Sequence, residues 1–217
     1  MKRLLVSVLA LAAAAAVGIV PPTASAQTLI DEWASVKAPT APQLKAVTLE
    51  PKTTALLMLD VVKQTCNNER RPRCVVSIPK IEKLLAEARA KGVLVIYTTV
   101  PPAPIADTVP ALAPKGDEPV VVAWVDKFML GNQDTGFEKM LKDKGITTVI
   151  SVGTAAHGAI LYTSSTAALR GFNVIVPVDG MASEDPYFEQ ATAWLLANGT
   201  GGIGPKVTLT RTDMIKF

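Results

Sequence analysis

The chain predicts a three-layer α/β fold: a mainly parallel central sheet of Rossmann-like topology with helices on both faces. Three observations carry this. Short apolar runs alternate with helix-length amphipathic segments along the chain. Runs such as Thr54–Asp60 are almost continuously apolar, which suits strands buried on both faces. Gly92, Gly145 and Gly171 fall where helices should end.

Taken in order, Lys2 and Arg3 precede an apolar run from Leu4 to Val20 and the small-residue site Ala24-Ser25-Ala26. This is the pattern of an export signal over residues 1–26. The run is near the lower length limit for a membrane span, and the cleavage site favours its removal. The expected protein is therefore periplasmic or secreted, without stable membrane insertion after cleavage. Residues 27–52 read as an extended, proline-spaced arm with one tryptophan, and residues 53–217 as one domain.

Thr54–Asp60 is the first strand. Ser77 is placed to cap the next helix, with Pro79 in its first turn and Ile78, Ile81, Leu84, Leu85 and Ala88 on one face. Val93–Thr99 is the second strand. The prolines at 101, 102, 104, 110, 114 and 119 predict a long loop, either crossing the mouth of a site or simply connecting elements. Val120–Val125 is a third apolar run. Asp134 or Thr135 caps a helix carrying Phe137, Met140 and Leu141. Thr147–Val152 is a strand and His157–Leu169 a helix. Asn173–Val178 is a strand. Asp185-Pro186 opens a helix with Phe188, Ala191 and Leu195 on one face. Val207–Thr210 and Met214–Phe217 close the sheet.

Charge excludes one class of partner. Net charge is +3, and falls to +1 without Lys2 and Arg3, leaving no electrostatic footprint for nucleic acid. Cys66 and Cys74, the only cysteines, bracket a polar loop that includes Arg70, Arg71 and Arg73. Export places them in an oxidising compartment, so a disulfide is expected, worth about 2–3 kcal/mol by loop entropy. A Cys66 nucleophile is the alternative. His157 is the sole histidine, so no multi-histidine metal site is expected and no cofactor is implied.

Ligands of open α/β sheets bind beyond the carboxyl ends of the strands. Asp60, Lys127 and the turn 153–159 lie at such ends. Together with Asp126-Lys127-Phe128, the helix Thr135–Leu141 and the glycine-led turn Gly153-Thr154-Ala155-Ala156-His157-Gly158-Ala159, they occur in an order that resembles the isochorismatase-like cysteine hydrolases. The resemblance implies a hydrolase of small molecules. It implies that Asp60 transfers protons, that Lys127 holds its charge state and orients substrate, and that Thr154, Ala155, Ala156 and Gly158 contribute a backbone oxyanion site. It also implies a homo-oligomer. At position 159, where that family usually carries its nucleophilic cysteine, this chain has alanine. The resemblance thus points to a hydrolase using Asp60 and water, or alternatively to a non-catalytic small-molecule-binding protein on the same scaffold.

Around these positions, His157 is either a proton shuttle or a structural histidine. Trp124, Phe128, Tyr97 and Tyr162 either line an apolar pocket or pack in the core. Asn132 contacts substrate or caps a helix, and Asp179 accepts turn N–H bonds. Thr163, Ser164 and Ser165 lie within a helix, with no general base visible beside them.

Overall fold

The computed structural model describes residues 28–217; the expected export signal lies outside them. Two units are distinguished, one ending at Thr40 and one running from Ala41 to Phe217. The described part of the first holds a single helical turn, α1 (Leu29–Glu32), with Trp33 exposed after it.

The second unit opens on β1 (Val47–Thr48) and β2 (Thr54–Leu59). Then come α2 (Pro72–Ala90), β3 (Leu94–Thr99) and β4 (Val120–Val122). A small hairpin of β5 (Met129–Leu130) and β6 (Gln133–Asp134) leads to α3 (Phe137–Asp143). Next are β7 (Thr148–Thr154), α4 (Leu161–Leu169), β8 (Asn173–Pro177) and β9 (Met181–Ala182). The chain ends through α5 (Pro186–Asn198), α6 (Ile203–Lys206), β10 (Val207–Thr210) and β11 (Ile215–Lys216).

Seven of these strands form one parallel sheet in the order β10-β8-β7-β2-β3-β4, with β9 pairing on β7. Alternate residues of β2 serve opposite faces. Leu57 and Leu59 join the core with Phe137 and Leu141 of α3, Ala167 of α4 and Leu196 of α5. Leu56 and Met58 join Ile81, Leu84, Leu85 and Ala88 of α2. Three layers result, as the sequence predicts.

From β2 the chain builds outward through β3 and β4. It then crosses back to place β7 on the other side of β2. That reversal makes the adjoining carboxyl ends of β2 and β7 a topological switch point, the general location for ligands in such sheets. Asp60 and the turn after Gly153 lie at those two ends.

Several expectations need correction. Ser77 does not cap α2. The helix begins at Pro72, where a missing N–H costs nothing, and Ser77 sits inside it, its hydroxyl donating to the Cys74 carbonyl at 2.7 Å. Gly136 is the N-cap of α3; Asp134 and Thr135 instead accept the Gly136 and Phe137 N–H groups. Helix α4 begins at Leu161, because Ala156–Ile160 forms a wide π-type turn with Gly158 outside helical angles. The buried positions of α5 are Thr192 and Leu196; Leu195 is exposed. The C-terminal Met214–Phe217 does not close the main sheet: β11 pairs with β1 in a separate ribbon. Asn132 lies in the exposed β5–β6 turn, away from any helix cap.

The expected disulfide is present, with Cys66 and Cys74 Cα atoms 5.3 Å apart. The proline-rich segment forms two short 3-10 turns and a cis Pro101–Pro102 bond. It packs on the chain just after β2: Val109 N–H donates to the Val61 carbonyl at 2.9 Å, and Lys63 pairs with Asp107 at 2.6 Å.

Candidate active site

Asp60 directly follows β2 with φ of +53°, the one non-glycine residue with positive φ among those described. Aspartate tolerates this left-handed region better than most side chains, and such conformations concentrate at functional positions. A closed pair of hydrogen bonds fixes the residue to β3. The Asp60 N–H donates to Thr98 Oγ1 at 3.1 Å, and that hydroxyl donates to Asp60 Oδ1 at 2.7 Å.

The other carboxylate oxygen meets Lys127 Nζ at 2.7 Å. Lys127 is 0% exposed and Asp60 3%. All three ammonium donors are committed: one to Asp60, one to the Ala123 carbonyl at 3.0 Å and one to the Trp124 carbonyl at 2.5 Å. Three acceptors around one nitrogen select the charged amine. The idea that Lys127 also orients substrate is therefore corrected: no donor remains for one. Its work is to hold Asp60.

Burial pushes the Asp60 carboxyl above the ordinary carboxylate range, against the opposing pull of Lys127, Thr98 and Arg71. The same desolvation pushes Lys127 down, against the attraction of Asp60. Helix α4 secures the lysine segment. Thr163 Oγ1 accepts the Lys127 N–H at 3.2 Å, and Thr166 donates to Asp126 at 2.8 Å. Thr135 donates to the Lys127 carbonyl at 2.7 Å. Thr163 and Ser164 are wholly buried, so neither replaces a nucleophile.

On the neighbouring strand, Gly153 is the register partner of Leu59. Thr154 follows it, pairs with Ala182 and is 1% exposed, with a hydroxyl that has no hydrogen-bond partner. The Thr154–Ala155 peptide is cis. The Ala155 carbonyl accepts from Gly158 at 3.0 Å and from Ile160 at 3.2 Å, which winds the turn tightly. A side chain at Gly158 would lie 3.8 Å from Val125, so the turn faces the segment leading into Lys127. Ala156 and Ala159 are buried in the core cluster that includes Leu59 and Ile160.

The aromatic candidates divide. Phe128 is corrected to a core residue: it is fully buried, with its ring 4.9 Å from Phe137 and under the Arg170 guanidinium. Tyr97 is likewise core, its hydroxyl donating to the Leu112 carbonyl at 2.6 Å. Trp124 and Tyr162 are exposed. Asp179 is structural, as one reading expects, accepting from the Thr212 N–H at 2.8 Å.

Four polar residues not singled out as site residues in the sequence join this region: Arg71, Thr65, Glu184 and Ser183. Arg71, in the disulfide loop, is buried. It donates to the Thr65 carbonyl at 3.0 Å and pairs with Glu184 at 2.6 Å. Thr65 in turn donates to the Asp60 carbonyl. Glu184 accepts from Ser183 at 2.8 Å, and Ser183 Oγ lies 2.7 Å from His157 Nδ1. Burial raises the Glu184 carboxyl, but the bonds from Arg71 and Ser183 outweigh it and hold the group at about 2. A depressed carboxyl stabilises the fold above its ordinary value of 4.5, and that contribution is lost as pH falls through about 2. Denaturation midpoints of the parent and of Glu184→Gln should thus differ at neutral pH, the variant being weaker, and converge between pH 4.5 and 2.

The parallel sheet flanked by helices, with an acid–lysine pair at its strand ends, defines an open α/β protein with a candidate site at the switch point. A model of the isochorismatase domain matches residues 54–204, and the chain belongs to the isochorismatase family. Solved structures agree in fold. An isochorismatase family protein from Desulfovibrio vulgaris is 22% identical with a TM-score of 0.64, over 75% of this chain and 95% of that one. A cysteine hydrolase from Pseudomonas syringae is 20% identical with a TM-score of 0.67, over 79% and 94%. An N-carbamoylsarcosine amidase from Thermoplasma acidophilum is 21% identical with a TM-score of 0.60, over 74% and 97%. No curated protein sequence matches the chain. Among the described residues no helix is long and apolar enough to cross a membrane.

Proposed function

We propose that this protein hydrolyses a small molecule in an exported compartment, with Asp60 transferring protons and water as the attacking group. The observation that carries the reading is the Lys127–Asp60 pair, 2.7 Å apart and almost wholly desolvated at the carboxyl end of β2. A buried ion pair gives little net stability compared with apolar side chains of similar size. A carboxyl raised by burial, by contrast, is suited to general acid or base work. Ala159 supplies no nucleophile, so a thioester intermediate is not part of this mechanism. The disulfide supports export, since such bonds persist in oxidising compartments.

The burial of Asp60, Lys127 and Ala159 favours a second reading, a binding protein with a closed site. A panel of small amides, esters and vinyl ethers separates the two, run on the parent protein, Asp60→Asn and Ala159→Cys. Turnover by the parent that Asp60→Asn abolishes is the expected result. Turnover only after Ala159→Cys would show a disabled cysteine hydrolase and sink the water mechanism. No turnover by either puts the binding reading ahead.

A further inference from the structure

The chain Arg71–Glu184–Ser183–His157 has a direction, and the direction fixes a proton. Ser183 has one hydroxyl proton. It points to Glu184, 2.8 Å away, whose other oxygen is paired with the Arg71 guanidinium at 2.6 Å. So paired, Glu184 is an ionised acceptor. Ser183 Oγ can then only accept from His157 Nδ1, which must carry the imidazole proton. The neutral ring is left with its lone pair on Nε2, which has no hydrogen-bond partner among the described residues.

The rest of the frame is built to keep it so. Ser183 is fully buried, and its N–H donates to Glu189 at 3.0 Å. Glu189 is itself clamped by Arg73, at 2.7 Å. The Phe188 ring lies 4.2 Å from the imidazole, centroid to centroid. Arg71 is tied through Thr65 to Asp60, so both proton-transfer groups share one scaffold. His157 itself is only partly buried, in the turn that follows β7.

We propose that Arg71, Glu184 and Ser183 hold His157 as a proton acceptor at Nε2, giving the protein a second base in addition to Asp60. What the base acts on rests on the hydrolase reading. There, Nε2 takes one proton from water as the water oxygen bonds the substrate carbon. The bond from that carbon to the leaving group breaks as Asp60 gives the leaving group a proton, and the proton held on the imidazolium, which Glu184 stabilises through Ser183, then restores Asp60. His157 is the catalytic member; Ser183, Glu184 and Arg71 are positioning residues.

Because His157 is the only histidine, its nitrogens can be read directly by long-range proton–nitrogen NMR of protein purified without a histidine tag. The neutral ring should be protonated at Nδ1. Ser183→Ala and Glu184→Ala, each checked for fold in the same spectra, should move the proton to Nε2, the form an unrestrained histidine favours. A parent ring protonated at Nε2, or a ring unchanged in both variants, overturns the relay. On any panel substrate the parent turns over, His157→Gln should lower kcat by about 100-fold or more with KM little changed. Added imidazole should restore turnover in His157→Gly. Unchanged kcat in His157→Gln overturns the base while leaving the hydrolase reading intact. Where nothing is turned over, the hydrolase reading fails and the NMR result alone decides the relay.

Discussion

Asp60→Asn is expected to remove activity and also about 3–5 kcal/mol of stability. The change is almost isosteric, so the loss does not come from packing. It comes from Lys127, whose ammonium is 0% exposed and would keep two carbonyls but lose its only carboxylate. Domain stability is typically about 5–15 kcal/mol, so the variant should still fold, with a clearly lowered denaturation midpoint. The companion is Asp60→Asn with Lys127→Met. Removing the stranded charge replaces a buried ion with an apolar side chain of similar length, and stability should return most of the way toward the parent. Activity should not return. A double variant no more stable than Asp60→Asn would show that the lysine is not charged in the folded protein.

The contrast between the two variants also shows what kind of information the sequence holds. Asp60 could be read there because it terminates an apolar run, and strand ends are where open sheets place chemistry. The glycine-led turn was legible for the same reason, and the cysteine pair because it brackets a short polar loop. The alternation of strands and helices was enough to place both faces of the sheet.

What was not legible depends on contacts between distant segments. Lysine is rarely buried, and nothing near residue 127 says that its amine ends 0% exposed against a residue 67 positions earlier. Arg71 reads as one of a surface arginine cluster, yet the fold buries it against Glu184. Ser183 lies next to β9, a two-residue strand too short to produce a periodic pattern. The break at Ala156–Ile160 was hidden for a different reason. Its residues are compatible with a helix, and only the local backbone at Gly158 departs from one. The substrate role of Lys127 came only with the family resemblance, which says nothing of the amine's other partners. Counting them leaves no donor free.

Gly153→Ala should be the most damaging glycine-to-alanine change among the described residues. An added Cβ would fall 2.1 Å from the Leu59 carbonyl oxygen and 2.9 Å from its carbon, both backbone atoms of the neighbouring central strand. No side chain can rotate away to relieve that contact, so β2 and β7 must separate at their paired ends. The glycine φ of +122° adds a conformational penalty that any L side chain meets there. Losses above about 4–5 kcal/mol are exceptional for point changes, and this one combines two of their recognised causes. Gly116→Ala is the control. It has φ of +57° and open space within 4 Å, so it carries only the penalty of a left-handed residue, about 1–2 kcal/mol. Thermal denaturation of both variants should show a small shift for Gly116→Ala and a large one, or failure to fold, for Gly153→Ala. Similar shifts in the two would mean that the strand ends can part freely. That outcome would also undercut the rigid placement of Asp60, because Leu59, the residue that must yield, is its immediate neighbour in the chain.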